Sequence, residues 1–171
     1  MSDQITLAGG CFWCTESVFI RVPGVLKSVS GYANGTKDQP TYREVCTGTT
    51  GHAEAVQITY DPAVVSLGDL LDLFWKAHDP TTINRQGDDV GTQYRSGVYW
   101  TTETQKVAAE AAKVRAQAKV DRPVVTEILP LKTFWPAEEY HQNYFNKNPD
   151  QAYCRAVIPP KLKKLGLDLG F

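Results

Sequence analysis

Apolar and polar positions alternate most cleanly over Ala53–Tyr60, with Val56, Ile58 and Tyr60 on one face and Ala55, Gln57 and Thr59 on the other. A period of two over that length predicts a half-buried strand. Ser66 followed by Leu67, Leu70, Leu71 and Phe74 predicts a capped helix, because these apolar positions return every three to four residues. Val25–Tyr32, between the Pro23-Gly24 turn and the turn dipeptide Asn34-Gly35, reads as a strand, as do Ile5–Ala8, Ser96–Trp100 and Val124–Leu129. Glu16–Ile20 reads as helix, and Thr102–Val120 as an Ala-rich helix opened by a capping box of Thr102 and Gln105. Strands alternating with helices predict an α/β or α+β fold, helices packed on a sheet, in a single domain over residues 1–171.

Two long polar stretches interrupt this pattern. Gly31–Gly51 contains Tyr32, Tyr42 and Cys46, and Asp79–Ser96 (DPTTINRQGDDVGTQYRS) has almost nothing apolar to bury. Loops of that length in a compact domain are usually functional or disordered. Their tyrosines, arginines, glutamine and paired acids predict ordered site loops. A third patch, Phe134–Tyr144, mixes aromatic and polar groups. From Cys154 onward the chain is basic and broken by prolines, which predicts an irregular tail wrapping the surface.

Composition narrows the function classes. A net charge of −1 with 22% charged residues provides no field for nucleic acid or an anionic membrane. No apolar run approaches the ~18 residues of a membrane span, and no basic segment with an apolar core opens the chain as a secretory signal. Four cysteines in 171 residues are too few for a disulfide scaffold, so a reducing cytoplasm is the expected setting. A monomer is the expected state.

The chemistry concentrates in Gly9-Gly10-Cys11-Phe12-Trp13-Cys14-Thr15-Glu16. The glycines allow a sharp strand-to-helix turn, which puts Cys11 at or just before a helix N-terminus. Unpaired N–H groups and the helix dipole there favour an anion, so the Cys11 thiol is expected to be depressed. Phe12 and Trp13 supply apolar walls beside the sulfur. Three other readings compete: a buried inert cysteine, half of a zinc site, and a thioredoxin-like disulfide pair of Cys11 and Cys14. Zinc is disfavoured because Cys46, His52, His78, His141 and Cys154 form no second close pair of ligands.

Five motifs, GGCFWCTE, GYANG, YREVCTGTTGHAE, HDPTTINRQGDDVGTQYRS and FWPAEEYHQNY, run in one order over residues 9–144. In this the chain resembles the A-type peptide-methionine sulfoxide reductases. The resemblance implies reduction of methionine S-sulfoxide, free or in proteins, with no metal or organic cofactor, thioredoxin as reductant, and a ferredoxin-like βαβ core. It makes Cys11 the nucleophile at sulfur, emerging as sulfenic acid. Glu54 becomes the proton donor, which requires a water-poor site that keeps it neutral. Tyr32 and Tyr94 become hydrogen-bond donors to the sulfoxide oxygen, Phe12 and Trp13 the walls around the methyl group, and Asp89 a supporting acid.

Each residue also has a plainer reading. Glu54 alone would be a solvated charge, Tyr32 and Tyr94 core-edge rings, Trp13 core and Asp89 a turn residue. His52 and His141 read as neutral structural imidazoles, and Cys46 as a buried inert thiol. Many members of the resembled family have glycine at the position of Cys14 and two cysteines in a glycine-rich tail, whereas this tail has Cys154 alone. Y-C-x-x-V resembles the family's resolving position. Cys154, on a flexible tail, is therefore expected to resolve the sulfenic acid, with Cys14 as the alternative.

Overall fold

The backbone begins with a strand, β1 (Asp3–Gly9), and enters α1 (Phe12–Phe19) through Gly10. Gly10 has φ +94°, and a Cβ there would lie 2.6 Å from the Gln86 side chain, so both backbone and space require glycine. There follow β2 (Val25–Ala33), α2 (Tyr42–Cys46), β3 (Ala53–Tyr60), α3 (Leu67–Ala77), the small hairpin β4 (Arg85–Gln86) and β5 (Asp89–Val90), and β6 (Ser96–Trp100). The chain continues through α4 (Glu103–Gln117), β7 (Glu127–Pro130), β8 (Phe134–Pro136), α5 (Tyr144–Lys147) and α6 (Ala152–Lys164). The structure, a computed structural model, describes residues 1–168.

Six strands form one sheet in the order β7-β6-β1-β3-β2-β8. The four central strands β6-β1-β3-β2 are antiparallel neighbours, with α1 joining β1 to β2 and α3 following β3 on the way to β6. That is the ferredoxin-like split βαβ arrangement. β7 joins β6 in parallel and β8 joins β2 antiparallel. Period-two alternation sorts the side chains. Ile5, Leu7, Tyr32, Val56, Ile58, Tyr60 and Val98 pack with Phe12, Val18, Phe19, Leu70, Leu71 and Phe74 in the main core. Ala8, Ala33, Ala53, Ala55 and Tyr99 form a smaller cluster. Each large side chain of the main core contributes roughly 1.5–3 kcal/mol on leaving water.

Local signals explain most boundaries, and several differ from expectation. Ser66 caps α3 by accepting the Asp69 N–H. Thr102 likewise accepts the Gln105 N–H, but the Gln105 amide turns to the Thr101 N–H, so the cap is not the reciprocal box. α1 starts at Phe12 rather than Glu16; it is buried on nearly every side, so no polar stripe marks its extent. β7 begins only at Glu127, because the Val125 N–H goes to the carbonyl of Pro80. α2 was not expected, although Thr41 and Glu44 build a full capping box at its start.

The largest correction concerns the end of the chain. Residues 152–164 form a helix instead of an irregular tail, with Cys154, Ile158 and Leu162 buried along one stripe. Pro159 and Pro160 remove two intrahelical N–H donors, and that buried stripe holds the helix together regardless. Residues 169–171, also part of the expected tail, lie outside the described residues. Both long polar loops are ordered as expected. The Arg95 guanidinium joins them by donating to the carbonyls of Thr92 and Gly51, each at 2.9 Å.

Candidate active site

Cys11 occupies the N-cap of α1 and Cys14 its third helical position. An N-cap side chain lies over the third helical residue, the geometry a capping box uses. C-x-x-C at this place therefore brings the two thiols together, and they are hydrogen-bonded to each other. The expected depression of Cys11 is reversed. Its bond to Cys14, burial, and the charges of Cys14 and Glu54 push it well above the ordinary thiol value, outweighing the Trp13 N–H. The depressed thiol is Cys14, brought to about 7 by the bond from Cys11, against burial, with help from the Lys161 ammonium and Tyr153. The pair thus loses one proton near neutrality, and the second is resisted.

Glu54 stands opposite Tyr32 in the β2–β3 register, on the face of the sheet that α1 covers. Its Oε1 accepts the Phe12 N–H at 3.1 Å, the first free donor of the helix. Its Oε2 is buried without a partner. Burial pushes the carboxyl up to about 8, with the charges of Asp89 and Cys14 adding to it and the Phe12 N–H opposing. A carboxylic acid is therefore held protonated at neutral pH beside two cysteines.

Three phenols surround this pair. Tyr32 donates to Glu138 Oε1 at 2.7 Å. Tyr94 is raised by burial and then by the charges of Glu54, Asp89 and Cys11, which places it among them. Tyr153, on α6, donates to Asp89 Oδ2 at 2.7 Å and lies 3.7 Å from Cys14 Sγ. Asp89 is held on the β4–β5 hairpin by pairing with Gln86, whose amide is fixed in turn by the backbone of Asp79.

Trp13 is clamped from three directions. It stacks on Tyr144 with ring centroids 3.9 Å apart and planes at 7°, meets the edge of Tyr153, and donates its indole N–H to His141 Nδ1 at 2.9 Å. His141 is fully buried and its imidazole is lowered by that burial, so it stays neutral. Because Nδ1 accepts, its proton sits on Nε2. Phe12 packs against Tyr32, Tyr42 and His141. Glu16 accepts the backbone N–H groups of Asn143 and Tyr144 and so ties α1 to the turn that presents His141.

Cys11, Cys14, Phe12, Trp13, Tyr32, Glu54, Asp89 and Tyr94 thus gather at the N-terminus of α1. Cys154 does not join them. It is buried within α6, and burial followed by the charge of Cys14 pushes its thiol up to about 11. Cys46 is exposed rather than buried, at the end of α2. His52 accepts the Gly35 N–H through Nδ1 and bonds the Lys37 carbonyl through Nε2, a loop clamp. Sequence reasoning assigned no role to Tyr153, one residue before Cys154, or to Glu138, which lies inside the patch Phe134–Tyr144. Their aromatic and acidic neighbours were the only signal. Among the described residues no three His, Cys, Asp or Glu side chains are grouped to hold a metal ion.

A half-buried and a buried thiol sharing one proton beside a neutral carboxylic acid define a thiol-dependent oxidoreductase. Its ferredoxin-like sheet order sets it apart from the thioredoxin-like alternative. The family model described as peptide methionine sulfoxide reductase matches residues 3–168. The chain is 54% identical over 169 residues to peptide methionine sulfoxide reductase MsrA of Leptospira borgpetersenii, covering 99% of this chain and 96% of that protein. Among solved structures, the reduced form of Mxr1 from Saccharomyces cerevisiae superposes with TM-score 0.85 at 42% identity, covering 90% of this chain and 89% of the other. Mxr1 in complex with Trx2 matches with TM-score 0.62 at 32% identity, covering 84% of each chain. The chain belongs to the peptide methionine sulfoxide reductase family, of the MsrA type, and is a methionine sulfoxide reductase.

Proposed function

We propose that this reductase acts on the S-epimer of methionine sulfoxide, free or in proteins, through Cys11 and Glu54. The observation that carries the mechanism is the unpartnered Oε2 of a buried, protonated Glu54 next to the paired thiols. A proton exchanged within the Cys11–Cys14 hydrogen bond puts the thiolate on Cys11. That sulfur attacks the sulfoxide sulfur while Glu54 protonates the departing oxygen, which ends on Cys11 as sulfenic acid as methionine leaves. Tyr94 and Tyr32 donate to the oxygen as charge grows on it. Phe12 and the clamped Trp13 enclose the methyl group, and Asp89 fixes Tyr153 at the edge of that wall.

Cys14 is the better resolving thiol on this geometry. It already touches Cys11 and holds the proton it took in the first step; as its sulfur attacks the sulfenic sulfur, that proton passes to the departing hydroxyl, which leaves as water, and a Cys11–Cys14 disulfide forms. The preference for Cys154 depended on a mobile tail, and its helix keeps that thiol buried and protonated. The complex of the related Mxr1 with Trx2 supports thioredoxin as the final reductant. No helix among the described residues is long and apolar enough to cross a membrane. We place the protein in the cytoplasm as a single-domain monomer, needing no cofactor.

Purified S- and R-sulfoxides of an N-blocked methionine, with dithiothreitol as reductant, test the reading. Wild type is expected to reduce the S-epimer, and Cys11→Ser neither. Comparable rates on both epimers, or an active serine variant, would refute it.

A further inference from the structure

A phenol has one proton to donate. The Tyr32 hydroxyl has already committed its proton to Glu138 Oε1, at 2.7 Å. Glu138 is itself fixed, because its Oε2 accepts the Tyr42 N–H at 2.9 Å, which pins the carboxylate between β8 and α2. Partial burial pushes Glu138 up, but the Tyr42 N–H, the Tyr32 hydroxyl and its own N–H bring it below the usual carboxylate value. It is therefore ionised at neutral pH, and an ionised acceptor binds an O–H roughly twice as strongly as a neutral one.

We propose that Glu138 sets the affinity for the sulfoxide by competing with the substrate oxygen for the Tyr32 proton. The proposal rests on Tyr32 being a donor to that oxygen. Glu138 is a positioning residue, since it acts on the substrate only through Tyr32. A neutral sulfoxide oxygen competes poorly with a carboxylate, so Tyr32 contributes little to ground-state binding. As the S–O bond breaks, negative charge grows on the oxygen and the contest turns in its favour. Tyr32 then moves its hydrogen bond from Glu138 to the oxygen. A donor released only at that stage stabilises the transition state more than the bound substrate, which is the difference that raises the chemical rate. Glu54 Oε2 faces no such competitor.

Single-turnover reduction of a peptide methionine S-sulfoxide, followed against substrate concentration, yields an apparent Kd and a limiting rate. Glu138→Gln replaces the ionised acceptor by a neutral one. It is expected to tighten Kd roughly three- to tenfold without raising the limiting rate. Glu138→Ala, which removes the acceptor, is expected to tighten Kd in the same direction, and near-UV circular dichroism of both variants reports whether the pocket keeps its packing. Tyr32→Phe is expected to weaken Kd only slightly and to lower the limiting rate. In the Tyr32→Phe background, Glu138→Gln is expected to leave Kd unchanged. Equal shifts in both backgrounds would overturn the proposal, because Glu138 would then act by anchoring Tyr42. An unchanged Kd in Glu138→Gln, with Tyr32→Phe still slowing the reaction, would overturn it while leaving Tyr32 a donor. A Tyr32→Phe variant that matches wild type in both parameters would remove the donor role and the proposal together.

Discussion

Glu54→Gln should remove a pH-dependent loss of stability while nearly abolishing activity, and the two effects have one origin. Burial holds the folded carboxyl at about 8 against an ordinary 4.5. Between those values the unfolded chain loses this proton and the folded chain keeps it. Stability therefore falls as pH rises, by about 1.36 kcal/mol per pH unit, and levels off above the folded value. At pH 7 the accumulated loss is about 3 kcal/mol, and over the whole interval about 5 kcal/mol. A glutamine keeps the oxygen that accepts the Phe12 N–H and has no proton to lose, so this loss disappears. Its amide adds a desolvation cost that is the same at every pH. The diagnostic is therefore the slope. Urea unfolding of both proteins in steps from about pH 5 to about pH 9 should show the variant gaining on wild type through the interval and then running parallel. Turnover should drop by about 10²–10⁴, the usual range for a lost general acid. Stability curves parallel throughout would refute the raised carboxyl, and near-normal turnover would refute its role.

Two further outcomes follow from the same site. Cys14→Ser should complete one turnover and stall as the sulfenic acid, losing thioredoxin-dependent cycling, whereas Cys154→Ser should cycle; thiol counting after one equivalent of substrate, with peptide mapping of the disulfide, decides between them. The single-turnover rate should be bell-shaped in pH. Its acid limb reflects protonation of the thiol pair near 7, its basic limb deprotonation of Glu54 near 8, and Glu54→Gln should lose the basic limb alone.

The parts legible in the sequence were those governed by local periodicity. Alternation in β3 put Glu54 on the face of Val56 and Ile58, and the glycine-cysteine turn put Cys11 at a helix start. The ordered loops were legible because their side chains suit a site better than solvent. What could not be read depends on contacts distant in sequence. Burial of α1 on nearly every side erased its amphipathic signature, and the stripe Cys154–Ile158–Leu162 overrode two prolines that spell a helix break. The charge distribution within C-x-x-C failed for a similar reason. The helix terminus favours an anion, yet Glu54, 42 residues from Phe12 in the chain, comes from another strand and takes the Phe12 N–H first. Tyr153 and Glu138 act through Asp89 and Tyr32, partners that spacing alone could not assign.

The pairing of Tyr32 with Glu54 across β2 and β3 constrains how this chain can vary. Side chains on a strand change face with every residue, so losing or gaining one residue at the paired end would turn one partner of the proton-donating pair to the far side of the sheet. The irregularity at Val25/Lys27 lies at the opposite end of the same ladder, where an extra residue is tolerated without disturbing the chemistry. Length changes in these strands should therefore accumulate at the Val25 end, and descendants of this sequence should hold the spacing from Ser28 to Ala33 fixed even where their residues diverge.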